Sequence, residues 1–201
     1  MTFSSDIAFS PAVKAMQVRK GSRASYARIE QQGSWETGIT DELKGFIEAQ
    51  TSSFLATASA QGQPTVQHRG GAVGFLKVLD AHTLGFADYR GNRQYISLGN
   101  LVENPKACLL LLDFATRQRV KLWGEARVSE DAALMKALLP AGSKAKAEQA
   151  ILFTVKAWDA NCPQHIPQRF EAADVAAALA EKDERIAALE RELAAALARR
   201  E

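Results

Sequence analysis

Two clusters in the chain bring cations, glycines and hydrogen-bonding side chains close enough together to handle an anion. The first is Gln67-His68-Arg69-Gly70-Gly71, followed by Gly74-Phe75-Leu76-Lys77. Its glycines let backbone approach a ligand closely, and Arg69 and Lys77 supply charge that neutralises a phosphate. Taken alone, the same residues also describe a solvated hairpin end with a bulge. The second cluster, Phe86-Ala87-Asp88-Tyr89-Arg90-Gly91-Asn92-Arg93-Gln94-Tyr95, leaves an apolar run and enters a stretch of helical spacing. Amides in the first turn of a helix have no intrahelical partner and sit at the positive end of its dipole, so Asn92, Arg93 and Gln94 read as an anion-binding edge. Ordinary helix capping by Asn92 is the alternative. A third element, Thr116-Arg117-Gln118-Arg119-Val120-Lys121, opens a strand with spaced cations, which also fits a solvated strand face.

The elements that must position these clusters follow from periodicity. Residues 1–39, rich in Ser, Gly, Gln and charge, read as an arm over a surface with a short helix near 12–19. Thr40 caps an amphipathic helix carrying Leu43, Phe46 and Ile47. Strands at 54–59 and 64–68 flank the turn 60–63, with Pro64 opening the second where no ladder donor is needed. A second hairpin joins 75–79 to 83–87, and a helix at 93–102 stops at Asn104-Pro105. The nearly continuous apolar run 106–114 predicts a strand buried on both faces. Residues 120–128 alternate, with Val120, Leu122, Gly124, Ala126 and Val128 on one side. Ser129, Glu130 and Asp131 cap a helix through Leu139, ended by Pro140-Ala141-Gly142, and 151–158 forms the last strand.

Six or seven short strands with few helices predict a mainly β, α+β fold built on an antiparallel barrel. The tail differs in kind. From Ala172 to Arg200 a heptad places Ala172, Leu179, Ile186, Leu193 and Arg200 at a, and Val175, Lys182, Leu189 and Ala196 at d. This predicts a coiled-coil-like helix of roughly 44 Å, packed on its own domain or paired with a second chain. The expected domains are therefore an arm at 1–39, a barrel at 40–170 and a helical tail at 171–201.

Composition bounds the function. The chain of 201 residues is 47% hydrophobic and 24% charged, with a net charge of +2, so no overall field draws it to nucleic acid or to a membrane surface. Any anion site is local. Its two cysteines, Cys108 in an apolar run and Cys162 in a polar loop, are expected to be reduced. The beginning of the sequence lacks a basic stretch followed by an apolar one, and no segment reaches membrane-span length, which sets a cytoplasmic expectation. No metal-ligand spacing appears.

From Phe54 to Val128 the order of motifs resembles the pyridoxamine 5′-phosphate oxidase-like FMN-binding split barrels. The shared order is a basic residue, an aliphatic-Lys step at Leu76-Lys77, a strand passing Ala87-Asp88, a helix start at Asn92-Arg93-Gln94, Asn-Pro, a buried strand, and a strand opening on Arg117-Gln118. The resemblance implies a six- to seven-stranded antiparallel split β-barrel that binds FMN at a homodimer interface. It assigns Arg69, Lys77 and Arg93 to the FMN phosphate, main chain near Phe75–Lys77 and Ala87–Asp88 to the ring, and Gln118 to its polar edge. His68 and Gly70 belong to the same set, His68 as a substitute for Arg69. Gln94 stands where the family has a second cation, and Arg69 lies further from Lys77 than the usual spacing. These departures point to general FMN-binding members and away from the vitamin-synthesising oxidase.

The run Trp158 to Ile166 also resembles that subgroup, which makes Asn161, Gln164 and His165 candidates for the substrate side of the ring. The implied function is an FMN-dependent oxidoreductase acting on a small molecule, with a nicotinamide donor among the possible partners. The alternative is a non-catalytic flavin- or haem-binding module whose coiled tail recruits a partner. His68, His82 and His165 are too scattered to argue a haem ligand.

Overall fold

In the computed structural model of the chain, the described residues are 3–140, 142–143, 145–161 and 163–199. Ala141, Cys162 and Arg200, singled out above, lie outside them. The chain divides into two compact units, Met1–Asp113 with Gln118–Pro163, and Phe114–Arg117 with Gln164–Glu201. No helix among the described residues is long and apolar enough to cross a membrane.

The first unit is one seven-stranded antiparallel sheet. Its strands are β1 (Ser52–Ala58), β2 (Pro64–Gly70), β3 (Lys77–Val78), β4 (Thr83–Tyr89), β5 (Lys106–Asp113), β6 (Gln118–Ser129) and β7 (Ala147–Asn161). They run in the order β2-β1-β5-β6-β7-β4-β3, so the sheet is not closed and β2 and β3 are its edges. The inner face carries the core, in which Leu55, Leu84, Phe86, Leu109, Leu122 and Phe153 are essentially inaccessible to solvent. Burial alternates along β6 as the sequence implies, because a strand presents successive side chains to opposite faces. Gly124 is required there: a Cβ would stand 2.0 Å from the carbonyl oxygen of Thr154, where the β6–β7 register shifts.

The helices of this unit are α1 (Pro11–Lys20), α2 (Arg23–Gln31), α3 (Asp41–Glu48), α4 (Ile96–Glu103) and α5 (Ala132–Leu138). The Thr40 hydroxyl caps α3, and Leu43 and Ile47 seal the core, as their spacing implies. Asp131, not Ser129, caps α5, accepting from the amides of Ala133 and Leu134.

Three expectations change. The N-terminal segment is more than an arm: α1 and α2 pack together around polar residues, with Glu30 buried and salt-bridged to Lys14 and Arg23. Apolar periodicity misses α2 because what it buries is a carboxylate, while Ile29 stays exposed. Trp35 then stacks on Trp123 of β6, ring centres 4.8 Å apart, and Trp158 Nε1 donates to the Gly38 carbonyl, tying the segment to the sheet. Strand 75–79 shrinks to two residues because Phe75 and Leu76 turn into the core. Strand β5 is buried on one face only, with Cys108, Leu110 and Leu112 half-buried on the other.

In the second unit, Arg169 stacks over the Phe114 ring and donates its amide to the Phe114 carbonyl, while Gln168 donates to Ala115. Helix α6 (Ala172–Ala198) follows, with no buried residue.

Candidate functional site

Strand β4 delivers Ala87, Asp88 and Tyr89 to the end of the sheet, and the chain then turns through residues 90–95 before α4 begins. That turn holds two non-glycine residues in the left-handed region, Arg93 at φ 60° and Tyr95 at φ 54°. Each such residue costs on the order of 1 kcal/mol or more, and such outliers gather where geometry serves a ligand. Tyr95 is the N-cap position of α4 and provides no side-chain cap, so the first-turn amides of Ile96, Ser97 and Leu98 are left for another partner. The buried hydrogen bond from Asn100 to Thr57 of β1, 3.0 Å, fixes the helix against the sheet.

The end of β2 faces this helix start. In sheet order four strands stand between β2 and β4, yet Arg69 Nε lies 2.9 Å from Asp88 Oδ1, so the curled sheet brings its far sides together. That ion pair is not aligned as a hydrogen bond, which leaves the buried Nε without a hydrogen-bond partner. Asp88 is 6% exposed, and its other oxygen accepts from Gln149 of β7 at 2.6 Å. His68 Nε2 is 2.9 Å from the Ser52 hydroxyl, and its ring meets Phe54 edge to face.

The half-open cleft, about 280 Å³, is lined by residues of β2, β4, the 90–95 turn, the start of α4 and the start of β7. Three guanidinium groups border it, those of Arg69, Arg90 and Arg93, against the carboxylates of Asp88 and Glu148. Arg93 Nε donates to the Tyr95 hydroxyl, which donates to Glu148, and Arg90 Nε lies 3.5 Å from the same carboxylate. The Tyr95 hydrogen bond, aided by the nearby Glu148 charge, raises Arg93 above the usual guanidinium value. Phe75 and Phe86 back the pocket from the core, 2% and 1% exposed, and Tyr89 and Tyr95 line it nearer the solvent. Cations, open helix amides and an aromatic wall together suit a phosphorylated ligand with a flat ring.

Of the residues singled out in the sequence, His68, Arg69, Gly70, Phe75, Ala87, Asp88, Asn92, Arg93 and Gln94 all line this pocket. Asn92, Arg93 and Gln94 do so as turn residues, because α4 starts at Ile96, and Asn92 Oδ1 accepts from Gln94 within the turn. Leu76 is buried in the core. Lys77 does not line the pocket: its Nζ donates to the carbonyls of Ala137 and Leu139 at the end of α5. Gln118 and Asn161 lie at the opposite end of their strands, since Gln118 opens β6 whereas its Ser129 end pairs with Ala150 beside Gln149. Gln164 and His165 belong to the second unit. Sequence reasoning missed Tyr95 and Ser97, although both fall in or beside the second cluster, and Glu148 and Gln149, for which β7 was expected to start too late to leave a signal.

An α+β fold whose open antiparallel sheet curls around an anion-suited pocket makes this chain a split-barrel protein. Residues 39–162 match the family model described as pyridoxamine 5′-phosphate oxidase, and the chain belongs to that family. Among solved structures, HupZ of Group A Streptococcus is 19% identical, covers 66% of this chain and 99% of its own, and superposes with a TM-score of 0.50. A histidine-to-alanine variant of HupZ is 18% identical, covers 61% and 99%, and has the same TM-score of 0.50. An FMN-binding protein from Syntrophomonas wolfei is 12% identical over 72% of this chain and 97% of its own, with a TM-score of 0.45. At these identities the likeness concerns the fold. A comparison with curated proteins finds no match.

Proposed function

We propose that the chain binds FMN in this pocket and acts as a flavin-dependent oxidoreductase on a small molecule, with the flavin shared by two copies of the chain. The observation that carries the reading is the meeting of Arg69, Arg90 and Arg93 with the uncapped start of α4 in one cavity. In a member of this family the residues fit the cofactor. The free amides of Ile96, Ser97 and Leu98 and the guanidinium groups of Arg90 and Arg93 suit a phosphate dianion, with Arg69 held beside them by Asp88. Phe75 and Phe86 back the pocket from the core and give its floor an apolar character.

Bound FMN would supply electron transfer, singly or as hydride, which no side chain here provides. The protein's own part is orientation and charge. Asp88 holds Arg69 at the pocket, Glu148 holds Arg90 and Tyr95, and Tyr95 holds Arg93. A half-open cavity of about 280 Å³ lies at the small end of the roughly 300–1,000 Å³ typical of small-molecule sites, which fits a site completed by a second copy.

A second copy supplies the missing wall in this reading. Beside the pocket, the outer sheet face presents a stripe of Val66, Ala56 and Cys108 with its neighbours Phe54 and Leu110 in register across β2, β1 and β5, all exposed or half-buried. Gln118, about 35 Å along β6 from Ser129, reaches a flavin only from the other copy. The test is the absorption spectrum of the purified protein, with FMN titration of wild type and Arg93→Ala. A flavin band, or tight uptake of added FMN that weakens several-fold in Arg93→Ala, is expected. A colourless protein that takes up no FMN refutes the reading.

A further inference from the structure

The second unit is dominated by the longest helix among the described residues. Helix α6 spans Ala172–Ala198, about 40 Å of continuous helix, and none of its residues is buried. Apart from Leu197 at e, its large apolar residues form one seam. Leu179, Ile186 and Leu193 occupy a positions at 59%, 52% and 61% exposure, and Val175 and Leu189 occupy d positions at 44% and 46%. A helix with such a stripe gains its stability by covering it. We infer that α6 pairs with the α6 of a second copy of this chain in a parallel, in-register, two-stranded coiled coil.

The charges beside the seam select the second copy and its direction. In a parallel pair, each g position faces the e position five residues on in the other helix. Arg185 at g then faces the partner's Glu190 at e, and two-fold symmetry makes the contact twice. The other g-to-e steps, Ala178 to Asp183 and Glu192 to Leu197, oppose no like charges. An antiparallel pair with Ile186 against Leu189 sets e against e and g against g, so two Asp183–Glu190 repulsions cancel its two Arg185–Glu192 attractions, whereas the parallel pair keeps two attractions and no like-charge contact.

Lys182, the one charged residue in the d layers, fixes the register. In register, both lysines fall in a single layer, flanked by Asp183 of the opposite helix at e. Sliding by one heptad moves each lysine opposite Val175 or Leu189 and spoils two apolar layers instead of one. A lone polar core residue acts this way in paired helices, lowering stability while excluding alternatives.

This pairing is independent of the flavin reading and is tested in the full chain. With Cys108→Ser and Cys162→Ser as background, single substitutions Leu179→Cys and Leu193→Cys place thiols in two a layers, and Glu184→Cys places one at the outward f position. Mild oxidation is followed on non-reducing gels. Both seam variants are expected to form two-chain disulfides at least tenfold faster than Glu184→Cys. An antiparallel pair holds like positions roughly 15–25 Å apart, far beyond the ~7 Å Cα separation that a disulfide bridges. Crosslinking at either seam position no faster than at Glu184 overturns the proposal, whether α6 lies on its own chain, pairs antiparallel or binds another protein. Ile186→Lys added to Leu193→Cys should abolish the fast crosslink while FMN titration stays unchanged; an unchanged crosslinking rate overturns it as well.

Discussion

Replacing Lys77 by methionine separates the role its sequence context implies from the role its surroundings give it. Family resemblance assigns Lys77 to the FMN phosphate, whereas its Nζ donates to Ala137 at 2.6 Å and to Leu139 at 2.9 Å, the carbonyls that end α5. A charged donor on a helix C-terminus adds about 0.3–1 kcal/mol from the dipole, and a hydrogen bond to a charged group about 1.5–3 kcal/mol in a protected setting. One of these bonds is exposed and the other part-buried, so a total near 1–2 kcal/mol is reasonable. Methionine keeps the aliphatic stem and removes only the ammonium. For a chain of this size the loss corresponds to a Tm lower by roughly 2–8 °C. The assay is a thermal melt of the apoprotein beside a fluorescence titration with FMN. The expected outcome is a lowered Tm with FMN affinity unchanged within a factor of two or three. A Tm equal to wild type with a tenfold or greater loss of FMN affinity refutes the argument and returns Lys77 to the phosphate.

Asp88→Asn leaves the Arg69 guanidinium partly buried beside a neutral amide, and should lower the urea unfolding midpoint by the equivalent of about 3 kcal/mol. Added FMN should restore part of that loss by supplying the opposing charge; equal midpoints for variant and wild type would show that the pair is not structural. Burial pushes the Cys108 thiol up to about 11, so its alkylation at pH 8 should be about a hundredfold slower than that of an ordinary thiol. Because the folded thiol keeps its proton above the ordinary value of 9.0, its contribution to stability is complete below pH 9 and is lost as pH rises towards 11. Cys108→Ala should flatten that part of the stability–pH curve, and an unaltered slope counts against it. Gly124→Ala should cost about 3 kcal/mol or more in chemical denaturation, since its methyl group meets the Thr154 backbone; near-wild-type stability would mean that β6 and β7 separate at little cost.

The strand framework was legible because one physical rule acts locally. Alternation along β6 and the turns around residues 60–63 and 80–82 follow from which side of a strand faces the core, and both appear in the fold. Strand β5 shows the limit of that rule: an unbroken apolar run does not say whether its second face meets the same chain or something else. The N-terminal helices show another. Their shared interior is Glu30 with Lys14 and Arg23, and an ion cluster leaves no hydrophobic period to read.

Within the pocket, the two clusters named by their chemistry do meet, and His68, Arg69, Asp88 and Arg93 fall together as the order of motifs implied. Their arrangement within the pocket depends on tertiary geometry. The start of α4 depends on the left-handed turn at Arg93 and Tyr95, which moves the open amides from Asn92–Gln94 to Ile96–Leu98. Lys77 reaches the end of α5, and Tyr95 reaches Glu148, through side-chain hydrogen bonds that span 60 and 62 residues in the first case and 53 in the second.

The sequence by itself determined the fold class, the residues rich enough in charge and glycine to hold an anion, and the seam of α6, since each depends on side-chain type at a fixed local spacing. Tertiary structure alone decided which cations share a cavity, because the curl of the sheet that sets Arg69 against Asp88 arises from twist accumulated over all its strands.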